Sequence, residues 1–402
     1  MKKWNIGIIL LLVALLQGCI SAGVQSTGDI DYSQRRGEWQ WGSEHRMQFN
    51  TQGAYKLTTQ SAYIKNMLTF YNTEREQREF RASDKIILRY DAFNVNPQKQ
   101  TAFVLLHGAG QSSLHLVELI HDLVQQNPNA AIYALNLRGL GFSQRLVGTK
   151  EWSNVPKNVP QALYDYQKVH VDNFQSYIDD VDLFLNNIVN VDSYAKVFAI
   201  GHSLGGTILA RYIAQHPNKL TAVALSSPSF ALQGIIPGLS TNLVSKTMLE
   251  TQLALGNGKE YASNNQPYNP RIPFMKNRKM NPITSSLQRF NFNKYISQAN
   301  PILAMGGVTW QWSSELAKAM AKFETEASKI SDPVLILQAG DDQLIDTSAH
   351  EGICNTINSK RQKGQATLCK LTHFPLAQHD LLIEKDEIRN AVLDEIMLFF
   401  GQ

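Results

Sequence analysis

The chain has 402 residues, of which 43% are hydrophobic and 18% are charged, an ordinary globular composition. This length can bury a large core, as one α/β domain with an insertion or as two domains. The formal net charge is only +4, so no overall basic bias points to nucleic acid, and we expect no such partner. Three cysteines are too few for a disulfide scaffold.

The first residues are predicted to be a targeting segment. Two lysines precede an apolar run at residues 6–16, which is too short to span a bilayer as a helix. The run ends in LLQGC, which resembles the lipobox of bacterial lipoproteins. The resemblance implies a signal peptide at 1–18, lipidation of Cys19 and a membrane anchor in the bacterial cell envelope. The residue after the cysteine is Ile20, whereas an aspartate at that position would favour retention in the inner membrane. The resemblance therefore implies sorting to the outer membrane, on its periplasmic or surface face. An ordinary secretory signal or an uncleaved anchor is the alternative.

The next segment, residues 19–58, is rich in Gln, Ser, Gly and Thr and has little apolar periodicity. It is predicted to be a tether between the membrane and a domain at 59–402. Trp39 and Trp41 within it either pack on the domain or lie at the membrane surface, and the sequence does not choose between the two.

Export to an oxidising compartment permits a disulfide between Cys354 and Cys369, which stand 15 positions apart. Closing such a loop would add about 3 kcal/mol of stability by the chain-entropy model. Two buried free thiols are the alternative, because the sequence does not show whether the Cβ atoms meet.

The body of the chain alternates short apolar runs with amphipathic segments, which predicts a mostly parallel sheet with helices on both faces. The strands are expected at 101–108, 130–139, 196–203, 220–228, 333–342 and 366–374, and the helices at 113–127, 173–189, 205–216 and 383–400. The interval 229–328 breaks this rhythm. We interpret it as an insertion over the carboxyl ends of the strands, where ligands bind in open α/β sheets.

A serine on a sharp corner marks the centre of the chain. Residues 201–205, GHSLG, match the G-x-S-x-G nucleophile elbow, with a predicted strand before them and a predicted helix after them. The elbow holds Ser203 above the sheet, and its glycines let the helix approach the strand closely. The alternative is that Ser203 is an ordinary serine in a glycine-rich turn.

A serine nucleophile needs a base, and the base needs an orienting acid. In chain order the acid follows the serine and the histidine comes last. The segment PVLILQAGDDQLID, at the end of a late predicted strand, offers Asp341, Asp342 and Asp346. His373 stands at the end of the last strand, whereas His379 stands on the loop before the last helix, so His379 is the predicted base.

Acyl transfer also needs donors for the oxyanion. The backbone N–H groups of Leu204, after the nucleophile, and of Ala109, in HGAGQSS, are the candidates. That loop does not complete G-x-G-x-x-G, and G-K-[ST], H-E-x-x-H and paired C-x-x-C are missing from the sequence. We therefore expect no phosphate loop, no metal and no cofactor.

Five stretches stand in the order of the α/β-hydrolase superfamily: LLHGAGQSS, LNLRGLGFSQR, GHSLGG, LQAGDDQLID and AQHDLLIEKDEIR. More narrowly, the chain resembles the bacterial lysophospholipase and monoacylglycerol lipase group, which is similar to serine aminopeptidase S33. FYNTEREQREFRASDKIILRY, VDNFQSYIDDVDLFL and NPITSSLQRFNFNKYISQANPILAMGGVTWQW also point there. The resemblance spans about 60–402 and implies that Asp342 is the acid and that the insertion is a cap. Asn136, where the group often has Asp, and extra residues at about 147–170 depart from it.

The resemblance implies a cofactor-free serine hydrolase of lysophospholipids, with monoacylglycerols or general carboxylic esters as alternative substrates. Between residues 240 and 300 the insertion carries eight lysines or arginines and two glutamates, interleaved with Tyr, Phe and Met. A basic, apolar lid would suit anionic lipid headgroups, and a solvated basic face is the alternative reading. A catalytically silent lipoprotein that binds lipid in the same pocket is the competing function.

Overall fold

The structure is a computed structural model that describes residues 29–32, 37, 39–52, 56–96, 98–148, 160–231, 243–276, 279–359 and 367–401. The predicted signal peptide and Cys19 lie outside the described residues. Within the described residues, no helix combines the length and the hydropathy that crossing a membrane requires.

An eight-stranded sheet forms the centre of the molecule. Its strands are β3 (Glu76–Arg81), β4 (Ile87–Phe93), β5 (Thr101–Leu106), β6 (Ala130–Leu135), β7 (Lys196–His202), β8 (Ala222–Ser226), β11 (Val334–Ala339) and β12 (Cys369–Phe374). Their order across the sheet is β12-β11-β8-β7-β5-β6-β4-β3. The six strands β12, β11, β8, β7, β5 and β6 pair parallel with their neighbours. Strand β4 pairs antiparallel with both β3 and β6. The six predicted strands form the parallel part.

The central strands are continuous apolar runs because both of their faces are buried. Along β5, Ala102, Val104 and Leu106 join the hydrophobic cluster on one face, and Phe103 and Leu105 join the cluster on the other. Successive side chains of a strand point to opposite sides of the sheet, so one apolar strand contributes side chains to both hydrophobic clusters.

Helices cover both faces of the sheet. One face carries α1 (Ala62–Glu74), α2 (Val117–Gln126) and α10 (Asp386–Phe399). The other carries α4 (Gln175–Leu183), which continues as a π-helical turn to Val189, together with α5 (Leu204–Gln215) and α9 (Ala349–Asn358). A further short helix, α3 (Pro160–Tyr166), precedes α4. The fold is therefore the layered α/β arrangement that the alternating pattern predicts.

The insertion between β8 and β11 contains α6 (Leu243–Ala254), α7 (Leu287–Ala299), α8 (Trp310–Glu326) and two short strands, β9 (Met275–Lys276) and β10 (Lys279–Met280). Helix α8 belongs to the body as well as to the cap. Its Leu316 and Phe323 join the hydrophobic core under the sheet, and Glu326 accepts hydrogen bonds from Arg211 of α5.

The segment predicted as a tether packs against the domain where the structure describes it. It includes two strands that pair antiparallel, β1 (Phe49–Gln52) and β2 (Lys56–Gln60). Trp41 Nε1 donates to Asp394 Oδ1 at 2.7 Å, and Trp39 packs against the core cluster beside α10. The described residues around Trp39 and Trp41 thus pack on the domain, and both tryptophans are partly buried against its core. The sequence did not indicate this because the anchoring partners stand near the other end of the chain.

A disulfide joins Cys354 of α9 to Cys369 of β12, and both residues are buried. The bond ties a helix to the edge strand that precedes the loop of His379. The sequence left open a disulfide or two buried free thiols, and the structure contains the disulfide.

Candidate active site

The serine elbow lies at the carboxyl end of β7, where the chain turns into α5. Ser203 has φ 50° and ψ −116°, a conformation that costs a non-glycine residue free energy and that recurs at functional sites. Its backbone N–H donates to Ser226 O of β8 at 2.9 Å, which fixes the corner to the neighbouring strand. Its side chain lies at the floor of a cavity, only 9% exposed.

Glycines around the elbow are required by contact distances. A Cβ on Gly205 would lie 2.4 Å from Leu106 O of β5, and one on Gly201 would lie 2.6 Å from Gly205 O. Backbone cannot move aside cheaply, so the helix reaches the sheet only because these positions lack a side chain.

Three of the predicted residues form one hydrogen-bonded chain. His379 Nε2 lies 2.9 Å from Ser203 Oγ, and His379 Nδ1 lies 2.7 Å from Asp342 Oδ2. All three side chains are buried. A carboxylate at Nδ1 leaves Nε2 free to accept the serine proton, which is the arrangement of a nucleophile, its base and the orienting acid.

The environment of Asp342 keeps it ionised. Burial opposes the charge, but the hydrogen bond with His379 and the N–H groups of Leu344 and Ile345, at 2.9 and 3.1 Å, outweigh that penalty and hold the pKa of Asp342 below its usual range. The carboxylate therefore remains an acceptor for the histidine at neutral pH.

The competing candidates lie elsewhere. Asp341 accepts a hydrogen bond from Gln378 Nε2 at 2.7 Å, and Asp346 accepts one from the backbone N–H of Ser348 at 3.0 Å. His373 is on β12 and contacts Asp29 Oδ1 at 2.6 Å. Among the described residues, none of these three side chains is hydrogen-bonded to Ser203 or His379.

The loop that carries His379 is fastened to the cap. The backbone N–H of His379 donates to Pro282 O at 3.2 Å, and that of Asp380 donates to Ile283 O at 2.7 Å. Glu384 Oε1 accepts from the backbone N–H of Gln378 at 2.6 Å. Backbone hydrogen bonds at residues 378, 379 and 380 thus fix the loop that carries His379.

The two expected oxyanion donors line the same cavity as Ser203. Leu204 is the first residue of α5, so its N–H has no acceptor within the helix. Ala109 follows Gly108, whose N–H donates to Gln111 Oε1 at 2.9 Å. Gln111 Nε2 in turn donates to Asp380 Oδ2 at 2.8 Å, which connects the loop of Ala109 to the loop of His379.

Sequence reasoning missed the role of Gln111 and Asp380 in this connection. Asp380 is fully buried, and burial raises its pKa to about 6. Its Oδ2 also lies 3.4 Å from His202 Nε2, and burial, with the neighbouring His379, lowers the pKa of His202 so that its ring is neutral. The sequence shows an acidic residue, Asp380, directly after the predicted base. It does not show that Gln111 is the partner of Asp380, because the two residues are 269 positions apart.

Asn136, a departure noted in the sequence, has a structural role beneath this site. Its Oδ1 accepts from the backbone N–H of Ser113 at 3.1 Å, at the end of the Ala109 loop. A Cβ on Gly141 would lie 2.2 Å from that oxygen, so the turn after β6 is shaped around the amide.

The cavity above Ser203 has a volume of about 410 Å³. Apolar side chains contribute part of its wall, from Trp312 and Leu316 of α8 and Leu344 and Ile345 after β11. Helix α7 contributes one face, because Phe290, Asn293, Lys294 and Ser297 stand three or four residues apart and all line the cavity. Such a space suits a ligand with both an apolar and a polar part.

The basic residues of the insertion do not form one surface. Arg289 is buried and forms ion pairs with Glu118 at 2.8 Å and Asp386 at 2.9 Å. Lys294 lines the cavity, and residues 277–278, within the basic run of the expected lid, lie outside the described residues. In the part of the chain that the structure describes, no group of three or more His, Cys, Asp or Glu side chains is arranged to hold a metal ion.

Comparison with known proteins gives one family and several relatives. The model of the family described as serine aminopeptidase, S33 (Hydrolase_4) matches residues 97–386. Lysophospholipase L2 of Escherichia coli strain K12 is 26% identical over 349 residues, which cover 85% of this chain and 92% of the relative. Monoglyceride lipase of Homo sapiens is 25% identical over 233 residues, covering 56% of this chain and 67% of the relative.

Solved structures share the architecture. A soluble variant of monoglyceride lipase from Saccharomyces cerevisiae superimposes with a TM-score of 0.56 at 17% identity, covering 82% of this chain and 95% of that one. A carboxyl esterase from Bacillus coagulans has a TM-score of 0.58 at 16% identity, covering 82% of this chain and 99% of that one. At these identities the likeness concerns the fold.

Proposed function

The chain belongs to the serine aminopeptidase S33 family and has the α/β-hydrolase fold, and on that premise we propose that it cleaves the carboxylic ester of lysophospholipids. The observation that carries the proposal is the hydrogen-bonded chain from Asp342 through His379 to Ser203 at the floor of a cavity. The similarity to lysophospholipase L2 over 85% of this chain supports the choice of substrate.

The proposed reaction has two steps. Ser203 Oγ attacks the ester carbonyl carbon while His379 Nε2 accepts the serine proton, and the N–H groups of Ala109 and Leu204 receive the oxyanion. The imidazolium then protonates the leaving glycerol oxygen, and the fatty acid remains as an ester of Ser203. Water, deprotonated by His379, releases the fatty acid. Asp342 holds the imidazole in the required tautomer and stabilises its charged form.

The charges of the cavity argue against an aminopeptidase activity. A peptidase of that type binds a free α-amine, which calls for an unpaired carboxylate in the site. The acidic side chain among the described residues that line the cavity, Asp380, is engaged with Gln111, and the lining contributes the cation Lys294. This lining fits an uncharged acyl chain and a polar or anionic headgroup better than an amine.

A monoacylglycerol is the second candidate substrate, favoured by the relatives named monoglyceride lipase and by the same apolar wall. A general carboxylic esterase would differ in having no preference for long acyl chains. A lipid-binding protein without catalysis is disfavoured, because such a protein has no need for the Ser203–His379–Asp342 alignment.

The test is a substrate panel with purified protein. Wild type and Ser203→Ala are compared on a lysophospholipid, a monoacylglycerol and a p-nitrophenyl ester, with release of fatty acid or nitrophenol as the readout. We expect the highest kcat/KM of wild type on the lysophospholipid and a loss of several orders of magnitude in the variant. Lipid binding without turnover by wild type would establish the carrier function instead.

We also propose that the protein is an outer-membrane lipoprotein anchored at Cys19, which the lipobox-like LLQGC supports. Cys19→Ser is expected to abolish labelling by a fatty-acid analogue and to leave the precursor uncleaved, whereas Ser21→Ala serves as the matched control and keeps both. Equal labelling of Cys19→Ser and wild type would contradict the anchor.

A further inference from the structure

A second buried hydroxyl contacts the oxygen of the proposed nucleophile. Ser229 Oγ lies 3.3 Å from Ser203 Oγ, and His379 Nε2 lies 2.9 Å from the same atom. Ser229 is buried and lines the cavity above Ser203. Two polar side chains therefore meet at the Ser203 oxygen, and the proposed two-step reaction uses only the histidine.

The turn that carries Ser229 is held against the elbow. Ser227 has φ 45°, a conformation that costs a non-glycine residue free energy, and its N–H donates to Leu337 O of β11 at 2.9 Å. Thr207 Oγ1 of α5 lies 3.1 Å from Ser229 O and 3.2 Å from Ser203 O, within donating distance of both. The backbone of the second hydroxyl is therefore tied to the backbone of the nucleophile.

The proton positions in the relay fix the direction of the hydrogen bond between the two serines. Asp342 is ionised at neutral pH, so the hydrogen between it and His379 belongs to Nδ1. In the neutral imidazole that acts as the base, Nε2 then has no hydrogen and accepts the single hydroxyl hydrogen of Ser203. Because Ser203 has no second hydrogen to give, the hydroxyl of Ser229 is the donor and Ser203 Oγ is the acceptor.

We propose that Ser229 is a further catalytic residue, which donates a hydrogen bond to Ser203 Oγ while negative charge develops on that oxygen. In the first step the Ser203 proton passes to His379 Nε2, and an electron pair of Oγ forms the bond to the carbonyl carbon. In the second step that bond breaks, and Oγ recovers a proton from His379 Nε2. Ser229 keeps its own proton throughout.

This contribution is made to the transition states more than to the resting enzyme. A hydrogen bond to an oxygen that carries charge is stronger than one to a neutral hydroxyl. The contact therefore strengthens as the proton leaves Ser203 in acylation and before the proton returns in deacylation, and such differential binding raises the rate. The inference rests on the proposed function, since it requires Ser203 to be the nucleophile.

The experiment compares Ser229→Ala with wild type on a p-nitrophenyl ester. The readouts are kcat, KM and the pre-steady-state rates of acylation and deacylation. Ser229→Thr keeps the hydroxyl group. Ser313→Ala is the matched control, because it removes another buried serine hydroxyl, which donates to the backbone at Thr309 O at 3.1 Å. Thermal unfolding establishes that each variant is folded.

We expect Ser229→Ala to lower kcat and kcat/KM by the same factor, roughly tenfold, with KM unchanged, because the lost interaction belongs to the transition states. Acylation and deacylation should both slow. Ser229→Thr should recover most of the loss, and Ser313→Ala should match wild type. If the threonine variant does not fold, the two rates of Ser229→Ala decide.

Three results would overturn the assignment. A wild-type kcat in Ser229→Ala would show that the hydroxyl has no part in the reaction. A loss expressed in KM alone would make Ser229 a substrate contact. A folded Ser229→Thr that is as slow as Ser229→Ala would show that the space, and not the hydroxyl, matters.

A fluorophosphonate distinguishes the failure of this inference from that of the proposed function. Ser203 Oγ attacks its phosphorus and fluoride leaves, so the adduct should form more slowly in Ser229→Ala, by a similar factor, and still reach completion. Wild type that neither hydrolyses esters nor reacts with the probe removes the proposed function. Wild type that does both, at rates that Ser229→Ala matches, removes the role of Ser229 alone.

Discussion

The two walls of the cavity are built in different ways. The body wall consists of loops at the carboxyl ends of parallel strands, and each reactive side chain there is buried and hydrogen-bonded to a neighbouring loop. The cap wall consists of helices and irregular chain, and it places amides and a half-buried lysine at the cavity. The proposed catalytic residues are thus positioned by loops of the sheet, whereas the insertion supplies much of the remaining cavity lining.

The largest expected effect lies in the body wall. Asp342→Asn should lower kcat by about 10⁴-fold, because an amide at Nδ1 favours the wrong tautomer of His379. Asp341→Asn is the matched control. It weakens at most one hydrogen bond, from Gln378, and Asp341 does not contact His379, so kcat should change by at most about threefold. Steady-state kinetics on a p-nitrophenyl ester measure both, and the reverse pattern would move the acid to position 341.

A second test uses the buried carboxyl of Asp380. Its pKa is raised to about 6 in the folded protein, so folding favours the neutral form. Wild type should therefore lose stability relative to Asp380→Asn as the pH rises from about 4 to 6, by about 3 kcal/mol in total. Urea unfolding of both proteins across this range gives the difference. A difference that is independent of pH would show that Asp380 titrates normally.

A smaller effect is expected where the two loops of the body wall meet. Gln111→Met removes the hydrogen bonds to Gly108 N–H and Asp380 while keeping the side chain's length, so the Ala109 donor loses its support. We expect kcat to fall by roughly ten- to a hundredfold with little change in KM, because the oxyanion forms only during reaction.

Gln311→Met provides the control for this loop, since Gln311 donates to Asp172 O outside the site. It should leave kcat unchanged. A rise in KM with kcat preserved in Gln111→Met would mean that the glutamine contributes to substrate binding and not to the oxyanion donors.

The sequence predicts the part of the fold in which apolar runs are buried on both sides. The six parallel strands are of this kind, and the elbow at Ser203 follows from its glycines. Strand β3 was missed because EQREFR is exposed and charged, and β4 was missed because Arg89 and Asp91 interrupt the apolar run of ILRYDAF. The anchoring of Trp41 by Asp394 and the link from Gln111 to Asp380 were missed because contacts between distant residues leave no local pattern.

The cap shows the limit of charge counting. Arg289 was counted with the basic residues of an expected lid, but it is buried between Glu118 and Asp386. Lys294, five positions further on, lines the cavity. Composition gave the same weight to both, and only their positions on α7 separate an internal ion pair from a cavity lysine.

The most direct test of the account is the position of a covalent adduct. Ser229 Oγ lies 3.3 Å from Ser203 Oγ, so a second serine stands within reach of the same cavity. After reaction with a fluorophosphonate, peptide mass spectrometry should locate one adduct per chain on Ser203. The adduct should be absent from Ser203→Ala and present in Ser229→Ala. No adduct on wild type, or an adduct on Ser229, would contradict the central claim that Ser203 is the nucleophile of a serine hydrolase.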